Sequence, residues 1–496
     1  MVHVATEHEA ALDVDAEAAR LLTGAKPVAS ASSAPRRLLA LMPMLVLAAL
    51  GMMVGLTIVI GTRGNDVGRV SGGSTNLLAS AKEDAAAVVN ASHPESPFYQ
   101  RGERFDASVS RERGVVMCMH DVVFPLGLSL IRELRCLGNH ELVQVYHCGG
   151  DELSAASKEL LFSSDNRVEL VDVCSDLTNR GVISDDMAKK FRSWWIKPLA
   201  MYHTDVRHVM LMDVDDIFVK DPAVLRDLEG YTATGTTFFY DRVISNCRKF
   251  MSGLDGGENY MQKLFTTFNY TRFNVSGGPS PSPQVLKSFA YNNKTCHEMD
   301  SSLVLVDKAR AGQAAMDVML WFITEERFRY GFSFGDKETF WLAFEVAHAP
   351  YFFSPWGVSV VSSSPNKDMK EHPDTLCGSI LQYLPVHGPE EMAEMLYVNG
   401  KALVDPYPQG VDNLAKARRQ NLYNTFPTHM MPRQPRTATN KSAFSGFTFT
   451  IECMVGLGST PLPDAFAGAL MRRRLHFLGV TTGVLGSLQH CETYEL

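Results

Sequence analysis

The sequence predicts an α/β domain built on a parallel sheet with helices on both faces, preceded by one membrane-spanning helix. Two observations carry this. From Gly114 onward, short apolar runs alternate with segments that are apolar at helical spacing, the pattern of βαβ units. Residues Leu38 to Thr62 form 25 consecutive uncharged positions, about 37 Å at a 1.5 Å rise, which exceeds a hydrocarbon layer of roughly 30 Å. The chain of 496 residues has room for one large domain with appendages, or for two or three domains. With 21% charged and 45% hydrophobic residues, it is neither disordered by composition nor a multi-spanning membrane protein. Lys+Arg 47 against Asp+Glu 55 gives a net charge of -8, which argues against a dedicated nucleic-acid binder, since these carry a basic excess.

The apolar span is read as a signal anchor. A cleaved signal peptide has an apolar run of about 7 to 15 residues nearer the N-terminus, followed by a small-residue site. Pro43 falls in the first turns, where a helix tolerates it, and Gly51 and Gly55 form a GxxxG that could mark a dimer face. Arg36 and Arg37 abut the N-terminal end, while Arg63 stands alone at the other end until Arg69, so the short side is expected to be cytoplasmic. Five N-x-[ST] sequons, at Asn90, Asn269, Asn274, Asn293 and Asn440, all follow the span, as they must if that side is luminal. The expectation is a type II protein with a cytoplasmic tail (1–37), an anchor (38–62), a Gly/Ser-rich luminal stem (63–112), a folded domain (113–432) and a C-terminal extension of unassigned role (433–496). Nine cysteines contain no CxxC pair, which removes zinc ribbons and redox motifs. Some of them are expected to be bridged in an oxidising lumen, without a pairing legible in the spacing.

Within the domain, GVVMCM is a strand. VVFPLGLSLIRELRCLG is a helix stopped at Gly138, LVQVYHC a strand, SAASKELLF a helix and RVELVDVC a third strand. A nucleotide-type ligand is expected at the C-terminal ends of such strands. No GxGxxG follows the first strand and no GxxxxGK[ST] occurs, so dinucleotide and P-loop readings lose their main support. KKFRSWWIKPLAMYHT, read as a helix, then leads into HVMLMDVDDIFVKDP. There an apolar strand, Val209 to Met212, ends in Asp213, Val214, Asp215 and Asp216. Two carboxylates two residues apart at a strand end can share one divalent cation, which in turn bridges a diphosphate and offsets the charge of a departing nucleotide. Spelling alone is weak evidence, because Asp13, Val14, Asp15 repeats it in the polar tail with no strand before it. The bland alternative for Asp213 to Asp216 is a solvated acidic turn. An EF-hand is less favoured still, because the D-x-D-x-D-G pattern and a position-12 Glu are missing.

At this point the blocks GVVMCMHD, LSLIRELR, KPLAMYHT, LMDVDDIFVKDP, TGTTFFYDR, MDSSLVLVDKAR and FGDKETFWLAF occur in the order of glycosyltransferase family 71. The resemblance covers about residues 112 to 430. It implies a GT-A fold, meaning a Rossmann-like mixed sheet with helices on both faces, and the activity of a Golgi α-mannosyltransferase. The donor would be GDP-mannose, the ion Mn²⁺, and the acceptor a glycan or glycoprotein, with retention of configuration.

Carried over residue by residue, Asp213 and Asp215 resemble the family's metal and diphosphate site, with Asp216 where many members have Asn. Lys197 matches a recurring lysine that could face a phosphate. Asp241 and Arg242 could touch donor sugar and diphosphate, or form a structural salt bridge. Ser301 and Ser302 stand where small residues approach the sugar. In GDKET, Asp336 is the first candidate for the second acidic group at the sugar's reactive face and Glu338 the second, while Asp336 could instead cap the helix that starts near Lys337. His387 is the candidate third metal ligand, with His372 behind it, although the family pattern has a His near the CGS block where this chain has Gln382. Trp356 is the one tryptophan read as a sugar platform. The basic cluster Arg472 to Arg474, set between apolar stretches too short to span, is left between packing on the domain and touching a membrane. Two rival readings remain open: a UDP-sugar transferase, and a non-catalytic membrane-tethered lectin or subunit of a transferase complex.

Overall fold

The computed structural model describes residues 96–244, 257–363, 374–407, 426–436 and 452–492. The tail, the anchor, most of the stem, Asn90 and Asn440 lie outside them. Among the described residues no helix is long and apolar enough to cross a membrane.

A seven-stranded sheet runs in the order β1-β4-β3-β2-β5-β8-β7. Its strands are β1 (Tyr99–Arg101), β2 (Arg113–Cys118), β3 (Leu142–His147), β4 (Val168–Asp172), β5 (His208–Met212), β7 (Thr236–Tyr240) and β8 (Met299–Asp307). The four strands β4, β3, β2 and β5 are parallel. The nine-residue β8 is buried at every position and runs antiparallel to β5 and β7, so the sheet is mixed.

Successive side chains of a strand point to opposite faces, and the packing follows. Val116, Leu211, Val304 and Val306 pack on one face with residues of α3 (Ile196–His203), α4 (Lys308–Thr324) and α5 (Lys337–Val346). Val115, Met117, Met210, Met212, Leu303 and Leu305 pack on the other with α1 (Phe124–Cys136) and Leu161 of α2 (Ala155–Ser164). The βαβ pattern thus appears where the alternation predicts it.

The reading of 63–112 as spacer stops short at its end. Residues 99–101 form β1 antiparallel to β4, and Arg101 and Arg111 both pair with Glu169, whose side chain has no exposed surface. A buried carboxylate needs such partners, and the stem's end supplies them.

A second sheet was not anticipated. Its order is β14-β12-β9-β10-β11-β6, with β13 on β10, from β6 (Asp216–Phe218), β9 (Ser359–Ser362), β10 (Leu376–Tyr383), β11 (Met395–Asn399), β12 (His429–Met430), β13 (Cys453–Met454) and β14 (Thr460–Pro461). Five of these seven strands have four or fewer residues, too short for an alternation to register. The segment after residue 432 folds onto the same body: α6 (Asp464–Thr482) packs on α1. Disulfides join Cys136 to Cys491, Cys377 to Cys453 and Cys148 to Cys174.

Candidate active site

The chain leaves the first sheet at the end of β5 and enters the second at β6, and the crossing is the turn Asp213 to Asp215. The turn is closed by backbone: Asp213 N donates to Ser302 O at 2.7 Å and Asp216 N to Asp213 O at 3.4 Å. Register then brings a residue that no motif singled out. β11 runs antiparallel to β6 with Asn399 opposite Asp216, and Asn399 Nδ2 donates to Asp215 Oδ1 at 3.1 Å and to Asp216 Oδ1 at 3.0 Å.

Lys197 projects from α3 into this turn and is 4% exposed. Its Nζ donates to Asp213 Oδ1 at 2.8 Å, to Ser301 O at 2.8 Å and to Ser301 Oγ at 3.2 Å, and lies 3.1 Å from Asp336 Oδ2. Ser301 Oγ donates in turn to Asp336 Oδ1 at 3.2 Å. Four of the predicted residues, Lys197, Asp213, Ser301 and Asp336, therefore meet. Burial would lower the ammonium's pKa, and the Asp213 and Asp336 carboxylates hold it above its ordinary range. Burial pushes Asp213 up to about 7, with Asp215 and Asp336 adding to the shift and Lys197 opposing it. Burial also raises Asp215, against the Lys401 backbone amide and Asn399, and it raises Asp216 well above the carboxylate range.

Asp336 stands at the N-cap position of α5, but its side chain makes no capping hydrogen bond; the carboxylate turns to Lys197 and Ser301 instead. Gly335 before it has φ +63°, and a Cβ there would meet Trp194 at 3.3 Å, so the turn that aims Asp336 calls for glycine. Glu338, two residues on, faces elsewhere. Its Oε1 accepts from Glu298 N at 3.0 Å and Met299 N at 3.2 Å, and its Oε2 from Trp341 Nε1 at 2.7 Å. Those three donors make it an anchor for the start of β8, although burial pushes it up to about 7.

Ser302 Oγ donates to Asp300 Oδ2 at 2.9 Å and lies 2.9 Å from the Tyr397 hydroxyl. Gln382 completes that group, its Nε2 donating to Asp300 Oδ2 at 2.9 Å and to Tyr240 O at 3.0 Å. The position where the family pattern has histidine is thus 1% exposed and committed to Asp300. Asp241 pairs with Lys337 and lies 3.3 Å from His297 Nε2. Burial would raise its pKa, yet Lys337 and His297 hold it well below the carboxylate range. Arg242 Nη2 donates to Gly378 O at 2.5 Å, linking the end of β7 to the second sheet.

His387 is exposed, with its ring 6.4 Å from that of Trp356. Among the described residues no three His, Cys, Asp or Glu side chains are arranged to hold a metal, so the structure does not join His387 to Asp213 and Asp215. Trp356 donates to Val386 O at 2.9 Å and is covered by Arg433, whose guanidinium carbon lies 3.9 Å from the ring centroid.

A family model described as "Mannosyltransferase putative" matches residues 112–383, taking in Lys197, Asp213, Asp215, Asp241 and Asp336. "Probable alpha-1,3-mannosyltransferase MNT4" of Saccharomyces cerevisiae is 24% identical over 305 residues, which are 58% of this chain and 49% of that protein. "Alpha-1,3-mannosyltransferase MNN1" of the same yeast is 22% identical over 335 residues, 62% of this chain and 43% of that one. The chain spans about half the length of the curated relatives it matches. Among solved structures, the mannosyltransferase Ktr4p from S. cerevisiae aligns at a TM-score of 0.32 and 11% identity, covering 54% of this chain and 75% of that chain. With the family model matched over more than half of its length, the chain belongs to the Mannosyl_trans3 family, glycosyltransferase family 71.

Proposed function

We propose that this chain is a retaining α-mannosyltransferase with a GT-A fold, anchored as a type II protein in the Golgi membrane, that moves mannose from GDP-mannose to a glycan on a glycoprotein. The observation that carries the reading is the meeting of Lys197, Asp213, Ser301 and Asp336 at the crossing between the two sheets, in a chain of this family.

The turn fits a hard divalent ion such as Mn²⁺. Asp213 and Asp215 offer carboxylate oxygens, and Asp213 is 28% exposed while its neighbour Asp216 keeps a buried Oδ2 without a hydrogen-bond partner among the described residues. Two carboxylates suffice where the remaining positions go to phosphates and water, as in many nucleotide sites. When bound, the ion would neutralise charge on the diphosphate as it leaves. Lys197 holds Asp213 and Asp336 together and brings a positive charge beside the acidic turn. Asp336, held by Lys197 and Ser301, is the carboxylate available to oppose positive charge on the sugar. Asn399 fixes the orientation of Asp215 from the second sheet.

The disulfides seen among the described residues support an oxidising compartment. Asn269, Asn274 and Asn293 are exposed, as luminal acceptors would be, and the apolar run 38–62 supplies the anchor.

The test is donor hydrolysis by the purified full-length chain, with GDP-mannose, UDP-glucose, UDP-galactose and UDP-GlcNAc, each with and without Mn²⁺. Metal-dependent release of GDP from GDP-mannose alone is the expected result. Release from a UDP-sugar would move the donor assignment. No release, together with no thermal shift from GDP or UDP plus Mn²⁺, would favour a lectin or complex subunit.

A further inference from the structure

Arg472, Arg473 and Arg474 are consecutive on α6. Neighbouring residues of a helix lie about 100° apart, so three in a row leave it in three directions, and all three are at most 4% exposed. Arg472 forks onto Glu133 of α1, with Nε 3.0 Å from Oε1 and 2.9 Å from Oε2. Arg474 Nε donates to Leu403 O at 2.7 Å, in the short helix that follows Asn399.

Arg473 ends beneath the acidic turn. Its Nη2 donates to Val214 O at 2.7 Å and to Leu126 O at 2.9 Å, its Nε to Asp216 O at 3.4 Å, and its Nη1 to Ser129 Oγ. The planar fork of a guanidinium is thus spread over the carbonyls on both sides of Asp215. Among the described residues it forms no ion pair within 4 Å, and the negative charges that act on it are Glu133, Asp215 and Asp216. Burying an unpaired charge is costly, so this placement is more than filler. The Cys136–Cys491 bridge ties the end of the same segment to the end of α1, and α6 lies wholly beyond residue 383, where the family match ends.

We propose that Arg473 is a positioning residue for the turn that presents Asp213 and Asp215, and that the C-terminal segment is therefore a working part of the site. The inference rests on the reading of that turn as the metal and diphosphate site. Arg473 fixes the Val214 and Asp216 carbonyls, which sets where the two intervening carboxylates point.

The test compares Arg473→Lys, which keeps the charge but cannot span both carbonyls, Arg473→Met, which loses both, and Arg472→Lys, which alters the same helix away from the turn. In the purified full-length chain, hydrogen exchange is followed by mass spectrometry for peptides covering 211–218, β3 and α6, and initial rates are measured against GDP-mannose at fixed Mn²⁺. Exchange in 211–218 is expected to rise at least tenfold in both Arg473 variants with β3 unchanged. KM is expected to rise about tenfold in Arg473→Lys with kcat within threefold, and Arg472→Lys should leave 211–218 and KM alone. Unchanged exchange in 211–218 in Arg473→Lys overturns the proposal, as does an equal effect from Arg472→Lys. If Arg473→Met does not fold, Arg473→Lys decides. If the wild-type chain turns over no donor, the donor reading fails while the exchange comparison still judges the positioning claim.

Discussion

Replacing Lys197 by Met removes the positive charge that Asp213 and Asp336 share and keeps most of the volume. Breaking a buried ion pair by deleting one partner costs roughly 3–5 kcal/mol, because the remaining charge is left uncompensated. Asp336 is 3% exposed and has no retreat, whereas Asp213 is 28% exposed and can relax toward water, so the lower end applies. For a folded unit of roughly 350 residues, an unfolding entropy of about 2.1 cal/mol/K per residue sums to about 0.7 kcal/mol/K, so a loss of roughly 3 kcal/mol lowers Tm by about 4 °C. The substitution also frees the Asp213 oxygen that Lys197 occupies, so Mn²⁺ should stabilise the variant more than the parent. At 100 times its Kd, an ion bound only by the folded state adds about 2.7 kcal/mol, enough to restore most of the loss. The assay is differential scanning fluorimetry of both proteins at one scan rate, with and without Mn²⁺. A drop of less than 1 °C in the absence of metal would show that the two carboxylates do not depend on Lys197, and equal Mn²⁺ shifts in both proteins would show that the lysine and the metal do not share Asp213.

Four further outcomes are expected. Asp336→Asn should abolish donor turnover while lowering Tm by no more than about 4 °C, since Lys197 keeps Asp213 as its partner and no capping bond is lost; a larger Tm loss with turnover intact would mark Asp336 as structural. Glu338→Gln should do the reverse, lowering Tm by several degrees through weaker acceptance from Glu298, Met299 and Trp341, with KM unchanged. Apparent Mn²⁺ affinity by calorimetry should rise from pH 6 to 8 and flatten above, because burial places Asp213 near 7 and a carboxylate must be deprotonated to bind metal; a flat profile refutes this. His476 is pulled by burial to about 4, below its unfolded value of about 6.5, so the unfolded chain holds the extra proton between those limits. Stability should fall by roughly 3 kcal/mol as pH drops from 6.5 through 4, and His476→Gln should flatten that slope in acid denaturation.

The parts of this protein that were legible in the sequence are those with a local period. Strands β2 to β4 announce themselves because each is a short apolar run followed by a helix-spaced segment, and the acidic turn stands out because it ends the apolar run of β5. Lys197, Ser301 and Asp336 were legible as candidates through the family's blocks, but nothing in those blocks states that one ammonium bridges two carboxylates. That pairing depends on α3, β8 and α5 lying on neighbouring sides of the β5 end, which is a property of the sheet order. Glu338 shows the opposite failure: adjacency to Asp336 in sequence suggested a shared task, yet two residues apart on a helix is about 200° of rotation, and the two carboxylates diverge.

The groups that were missed share one cause. Asn399 and Arg473 reach the turn from the second sheet and from α6, and each is defined by what it touches across a long separation in the chain. A signal for Arg473 was present all the same. Three adjacent arginines within an apolar helical stretch cannot all reach water if that helix packs, so at least one must find buried acceptors, and the acceptors with no other cationic partner are carbonyls exposed where a chain turns. The turn at Asp213 to Asp216 is such a place, because it leaves one sheet before it has joined the next and the Val214 carbonyl lies in neither strand. A site set at the crossing of two sheets gains carboxylates free to meet a ligand, and for the same reason it needs an outside residue to hold it still.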